Sequence, residues 1–319
     1  MAVPRLIDIG SNLGDPVFRG SYHGKQSHPD DFADILGRAR RAGVGIQMLT
    51  GDCLESSKEV LALAQQHRGL YATIGCHPCR AIEMDKFPGG PEVYMAELDK
   101  LIVENKGKRA VAVGENFPPQ LELASKHDLP LFLHSRNCHT DFVSALKAHG
   151  KPLRGVVHSH TGTAEEALEL VEMGFFIGIN GCSLKTEENL DVVKRISLDR
   201  LMVESDCPWC AIRPSSAAYK HLTDLVDKSE FAHLKERYMP AGVKKEKWTQ
   251  GKAVKGRNEP CCTGQVAWVV SKLKGISLEE VAETTRRNTL ALFGPAGMCE
   301  DEGVWGEEEQ GKGGAGPAE

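Results

Sequence analysis

The sequence predicts an α/β chain folded as a single (β/α)8 barrel, and three observations carry that reading. Eight short runs rich in Val, Ile and Leu recur along the chain, amphipathic segments separate them, and polar residues gather at the C-terminal ends of the runs. Apolar strands alternating with helices indicate a parallel sheet covered on its outer side. Eight such units in 319 residues suit a closed barrel better than an open sheet. No Gly-x-Gly-x-x-Gly follows the first run, which argues against a dinucleotide fold.

The expected strands are Leu6–Asn12, Gly45–Gly51, Leu70–Pro78, Arg109–Glu115, Leu129–Ser135, Gly155–Gly162, Phe175–Gly181 and Leu201–Pro208. Between them, Asp30–Ala42, Leu54–His67 and Ala164–Met173 repeat apolar residues at three and four positions, the helical period. After the eighth strand, 213–257 carries eleven Lys and Arg against five Asp and Glu, and its periodicity is weak. It reads as a basic loop with one or two short helices. Gly264–Leu273 and Leu278–Leu292 then close the barrel, so the expected domain is 1–298. Residues 299–319 hold seven acidic residues and one lysine and are rich in Gly and Glu, a composition expected to be disordered.

Composition narrows the class. With 41% apolar and 26% charged residues, the chain is an ordinary globular protein. No run of 18 apolar residues exists, so no membrane helix is expected. Met1–Leu6 has no secretory pattern, which leads to the expectation of an intracellular protein, nuclear or cytoplasmic. Ten cysteines in such a setting read as reduced thiols. The basic loop on a near-neutral body suits a polyanion partner.

The chemistry sits at the strand ends. Strand four ends in Gly114-Glu115, strand five in His134-Ser135-Arg136, strand six in His158-Ser159-His160 and strand eight in Glu204-Ser205-Asp206. Barrel strands present their C-terminal ends around one rim, where catalytic residues converge. Glu115, His134, His158 and Asp206 would therefore share a pocket, with two imidazoles and two carboxylates as donors. That set suits one or two divalent cations; its carboxylate share favours Mg2+, with Mn2+ or Zn2+ as alternatives. An ion so held acidifies water for hydrolysis. Asp206, with Glu115, is the expected catalytic carboxylate, and Asp206 is placed to take a proton. Arg136 would meet phosphoryl oxygens with its two-pronged guanidinium, and His77 would touch substrate. Glu204, Asp8 and Asn12 are expected to orient these groups from behind. Lysines between Lys244 and Lys255 would follow a nucleic-acid backbone without sequence preference.

Taken together, Asp8-Ile9-Gly10, Gly75-Cys76-His77-Pro78, Val113-Gly114-Glu115, Leu133-His134-Ser135-Arg136, His158-Ser159-His160-Thr161-Gly162-Thr163, Glu204-Ser205-Asp206 and Arg257-Asn258-Glu259-Pro260 resemble the TatD family of metal-dependent deoxyribonucleases. The likeness runs from about Arg5 to Pro295, and is greatest to the eukaryotic members with Asp-Ile-Gly on strand one. It implies a magnesium-dependent 3′-5′ exonuclease or related phosphodiesterase acting on DNA, with Glu115, His134, His158 and Asp206 as ligands.

The chain departs from that pattern in one segment. Where the family continues with Cys-Gly-Leu-Asp and a full helix, Glu115 is followed by Asn116-Phe117-Pro118-Pro119, and strand five begins near Leu129. A parallel crossover needs about a dozen residues, so closure is only just possible. The paired prolines are expected to delay any helix to Gln120–His127, leaving strands four and five poorly covered. Other readings stay open for that reason: a catalytically impaired chain that binds nucleic acid or a protein, or a different amidohydrolase-type hydrolase on the same barrel. Cys207-Pro208-Trp209-Cys210 has the form of a thiol redox motif, but follows a barrel strand instead of opening a helix. His160, two residues from His158, is left outside the ligand set.

Overall fold

The computed structural model describes residues 3–115 and 118–306, the side chains of Glu115 and Pro118 excepted. Eight parallel strands form one sheet in sequential order: β1 Leu6–Ser11, β2 Val44–Leu49, β3 Leu70–Gly75, β4 Ala110–Glu115, β5 Leu131–His134, β6 Gly155–His158, β7 Phe176–Ile179 and β8 Leu201–Val203. The seam between β8 and β1 is closed by a parallel bridge from Ser11 to Cys207, with Asp206 N–H donating to Gly10 O and Asn12 N–H to Cys207 O. The expected (β/α)8 barrel is thus present. Several expected strands ran too long, because their last residues leave the ladder to form the rim. Ser159 and Asp206 turn there with φ of 51° and 49°, a left-handed backbone that ends a strand.

The helices covering the barrel are α1 Phe32–Arg41, α2 Leu54–Gln66, α3 Gly90–Asn105, α4 Pro118–His127, α5 His139–His149, α6 Ala164–Glu172, α7 Glu187–Arg195, α8 Thr263–Lys274 and α9 Leu278–Phe293. Among the described residues no helix is long and apolar enough to cross a membrane. Thr163 caps α6 and Thr186 caps α7, each in a reciprocal capping box. The expectation for α4 is corrected. Its helix begins at the prolines, because a first-turn residue needs no N–H partner and the ring already holds a helical φ. Leu121, Leu123 and Ala124 are buried, and α4 packs against α3, β4 and α5. The shortened crossover therefore still covers the barrel.

The basic loop is docked to the barrel. It contains short helices at Thr223–Asp227 and Ala232–Tyr238. Leu222, Leu225, Leu234 and Tyr238 are buried. A Cβ at Gly264 would stand 2.1 Å from the Tyr238 ring, so the first turn of α8 passes that ring only as glycine. The expected boundary at Met298 is corrected too, since the packed chain continues through Gly306. Val304 is buried, its N–H donates to Gly45 O, and the Trp305 ring lies where a Cβ on Gly45 would be. These two apolar side chains outweigh the acidic composition around them. Residues 307–319 of the expected acidic tail lie outside the described residues.

The Arg257-Asn258-Glu259-Pro260 segment returns the loop to the barrel through a buried ion cluster. Arg38 of α1 donates Nε and Nη2 to the two Glu259 oxygens at 2.6 and 3.1 Å, and Arg257 donates to Asp31 and Glu259. All four side chains are nearly inaccessible. Asn258 donates Nδ2 to Ser205 O, tying this cluster to the end of β8. Removing one member of a buried cluster strands the others. Arg257→Ala should destabilise the fold by about 3–5 kcal/mol, measured by urea unfolding; a loss below 1 kcal/mol would show that the cluster is not a structural anchor.

Candidate metal centre

Strand register brings the two imidazoles together. In the β5–β6 ladder His134 lies opposite His158, and His134 Nδ1 stands 3.1 Å from His158 Nε2. Beneath them Phe132 stacks on the His158 ring at 4.3 Å. Glu204, fully buried, places Oε2 3.6 Å from His158 Nδ1. A carboxylate on that side favours the tautomer protonated at Nδ1, which turns the Nε2 lone pair to the cavity. Glycine makes room for this acid, since a Cβ at Gly10 would come within 2.5 Å of Glu204 Oε2.

The remaining polar groups fix Asp206. Asn12 donates Nδ2 to Asp206 Oδ1 at 3.0 Å and to Cys207 O at 3.0 Å. Asp8, fully buried, accepts from the N–H of Ser205 and Gly10 and from the Ser205 hydroxyl at 2.6 Å. Burial pushes the Asp8 carboxyl up to about 7 against the pull of those bonds. Burial also raises the Asp206 carboxyl, opposed by His158. For His134, burial first and then electrostatic repulsion from the neighbouring His158 and His77 press the imidazole down to about 3, so it is neutral at pH 7. A neutral ring is the form that binds metal.

These groups line a cavity of about 410 Å³ at the C-terminal rim, with Asn12, His77, His134, Arg136, His158 and Asp206 in its wall. His77 packs on His134 with ring centroids 4.7 Å apart, and its ring accepts from Cys79 N–H. Arg136 is exposed and has no ion pair among the described residues. Asp8 and Glu204 lie behind the wall, where orienting roles were expected for them. Glu115 ends β4, opposite Leu133 of β5, but its side chain lies outside the described residues. His160 is buried apart from the cavity, its Nε2 3.4 Å from Thr163 O.

Does the donor set fit a divalent ion? Two nitrogens bound to one ion at about 2.1 Å, with an angle of roughly 90–109° between them, stand roughly 3.0–3.4 Å apart. The observed 3.1 Å falls within that range. Among the described residues no three His, Cys, Asp or Glu form a complete ion site. The imidazole pair therefore fits as part of a site that needs further donors, and Glu115 is the residue placed at the adjoining strand end.

Two features were not foreseen. Asn180, just after β7, donates Nδ2 to Glu204 Oε1 and Ser159 Oγ at 2.9 Å and reaches Asp206 Oδ2 at 3.4 Å. Its Oδ1 accepts from the Cys182 and Ser183 N–H groups. The signal was present, a polar residue at the end of the seventh strand, where no motif drew attention to it. The second concerns the thiols. Cys210 Sγ lies 2.6 Å from Cys182 Sγ and 3.1 Å from Asp206 Oδ2. Cys207 instead is fully buried against Ser11, its thiol pushed well up by burial. The Cys207–Cys210 redox reading is thereby disfavoured, since a nucleophilic thiol needs access and a stabilised anion. Asn180→Ala should lower Mn2+ affinity by about 10- to 100-fold in calorimetric titration; unchanged affinity would reduce Asn180 to a local structural residue.

Comparison with known proteins identifies relatives of this chain. The sequence model described as "TatD related DNase" matches residues 21–116 and 116–294, two segments that meet where the crossover is shortened. A relative from Schizosaccharomyces pombe, named deoxyribonuclease Tat-D, is 42% identical over 312 residues, covering 91% of this chain and 96% of its own. A more distant one from Erwinia tasmaniensis, named a 3′-5′ ssDNA/RNA exonuclease, is 28% identical and covers 90% of this chain and 99% of its own. The crystal structure of an uncharacterized amidohydrolase from Saccharomyces cerevisiae superposes with a TM-score of 0.80 at 31% identity, covering 91% of this chain and 100% of that one. The chain belongs to the TatD-related DNase family.

Proposed function

We propose that this protein is a divalent-metal-dependent deoxyribonuclease that hydrolyses phosphodiesters and shortens DNA from the 3′ end. The observation that carries the reading is one rim cavity in which two imidazoles at ligand spacing, Asp206 and an arginine without an ion pair among the described residues meet. Glu115, His134, His158 and Asp206 would hold one or two ions, with Mg2+ favoured and Mn2+ or Zn2+ as alternatives. A bound ion acidifies water and offsets charge on phosphoryl oxygens. Asp206, held by Asn12 and Asn180, takes a proton from the attacking water. Arg136 pairs with phosphoryl oxygens as their charge grows, and His77 touches the substrate beside it. The 3′ end preference is supported by the name of the Erwinia relative. Ten free cysteines suit a reducing nuclear or cytoplasmic setting.

The shortened segment after Glu115 favours one second reading, an impaired member that binds DNA without cutting it. An end-labelled single strand with Mg2+, Mn2+ or Zn2+ separates the two. The nuclease reading expects stepwise 3′ shortening that EDTA and His134→Ala abolish and that Asp206→Asn slows by on the order of 10²–10⁴-fold. No shortening by folded protein would favour the impaired reading, and a family-length crossover installed after Glu115 should then restore activity. Hydrolysis of a neutral lactone or amide without DNA cleavage would reassign the barrel's chemistry.

A further inference from the structure

Trp209 stands between two cavities. It lines the rim cavity with His134, His158 and Asp206, and also a neighbouring one of about 410 Å³. The residue is 57% exposed, and it is the one aromatic among the exposed large apolar residues described. An exposed indole leaves a large apolar surface in water. Its backbone is held in the turn after β8, where the Trp209 main-chain N–H donates to Asp206 O at 3.1 Å. The ring thus sits one turn away from a candidate metal ligand.

The neighbouring cavity has an apolar floor and a basic rim. Val17, Tyr22, Pro208 and Val254 form the floor, and Lys244 and Lys255 stand exposed at the edge. Neither lysine has an ion pair among the described residues. The other cations there are committed, Arg257 to Asp31 and Glu259 and Lys245 to the face of Tyr22 at 4.6 Å. Among the described residues Glu246 is the one carboxylate in the wall, so the available charge at the edge is positive. An aromatic plane, an apolar floor and two available cations beside a phosphate-cutting site match one ligand, a nucleotide whose base is unpaired.

We propose that this cavity is a base-stacking subsite for single-stranded DNA, with the Trp209 indole as its platform and Lys244 and Lys255 meeting the flanking phosphates. The proposal rests on the nuclease reading and deepens it, since it assigns the residues that would hold an unpaired strand beside the reacting phosphate. A base stacked on Trp209 cannot at the same time lie within a duplex. Stacking on an aromatic face is tolerant of base identity, and lysines read only the backbone, so the subsite selects strand state and not sequence.

The test uses the full chain with Mg2+ and a fluorescent oligo(dT) whose phosphorothioate links resist cleavage. Trp209→Ala should weaken binding by about 5- to 100-fold, and Trp209→Phe should retain most of it. An abasic strand of equal length should bind weakly and be indifferent to Trp209→Ala. Lys244→Ala with Lys255→Ala should lower the salt slope by about 0.7 per lysine removed. Duplex bound as tightly as single strand, or an abasic strand bound as tightly as oligo(dT), would overturn the proposal. So would unchanged affinity in Trp209→Ala; if His134→Ala still abolishes cleavage there, the subsite falls and the nuclease reading survives. Absence of both cleavage and DNA affinity in the unaltered protein would remove both.

Discussion

The candidate centre depends on how the barrel closes between its last strand and its first. β8 is short, and the seam with β1 holds few ladder bonds. A buried carboxylate completes it, with Asp8 receiving Ser205 through both its backbone N–H and its hydroxyl. Three bonds to one acid satisfy a group that would otherwise be costly to bury. The next residue is Asp206, turned into the left-handed region so that its side chain faces the cavity while its N–H still pairs with Gly10. Closing the barrel and aiming Asp206 are therefore one event.

A second buried acid behind the cavity wall repeats this logic. Glu204 accepts from Ser159 N–H and Asn180, and presents its other oxygen to His158. Past the end of β8, Glu204 stays fully buried behind the wall, and the left-handed turn at Asp206 brings that carboxylate into it. Asn180 touches both, so a displacement of either acid is felt by the other. The Arg38–Glu259–Arg257–Asp31 cluster then fastens this assembly from outside, because Asn258 holds the Ser205 carbonyl. Precision in the cavity thus comes from groups that never enter it.

The barrel was legible because eight apolar runs with intervening helical periods permit few other closures. The site was legible in part because His134, His158 and Asp206 end strands that must converge. Asn180 escaped notice because a lone asparagine at a strand end is ordinary, and its value lies in partners from β6 and β8 that only the closed barrel assembles. The end of the domain was misread for a related reason. Composition averages over 299–319, whereas Val304 and Trp305 act singly, by filling space beside Gly45. The Cys207–Cys210 spacing, set aside as a redox motif because it follows a barrel strand, likewise said nothing of Cys182, which the fold brings within 2.6 Å of Cys210.

The shortened crossover shows what this barrel tolerates. A ten-residue helix beginning at two prolines spans the outer face that a longer one would cover. Gln120 is what makes the economy structurally sound. It is buried, its side chain bonds both the N–H and the carbonyl of Cys76, and so it ties α4 to the end of β3 immediately before His77. The bonds replace those a neighbouring strand would give, because Cys76 has already left the ladder. The shortened crossover therefore still supports the backbone beside His77, whose ring in turn packs on His134. The barrel around the shortened segment stays packed, and Glu115 is the expected ligand that borders it.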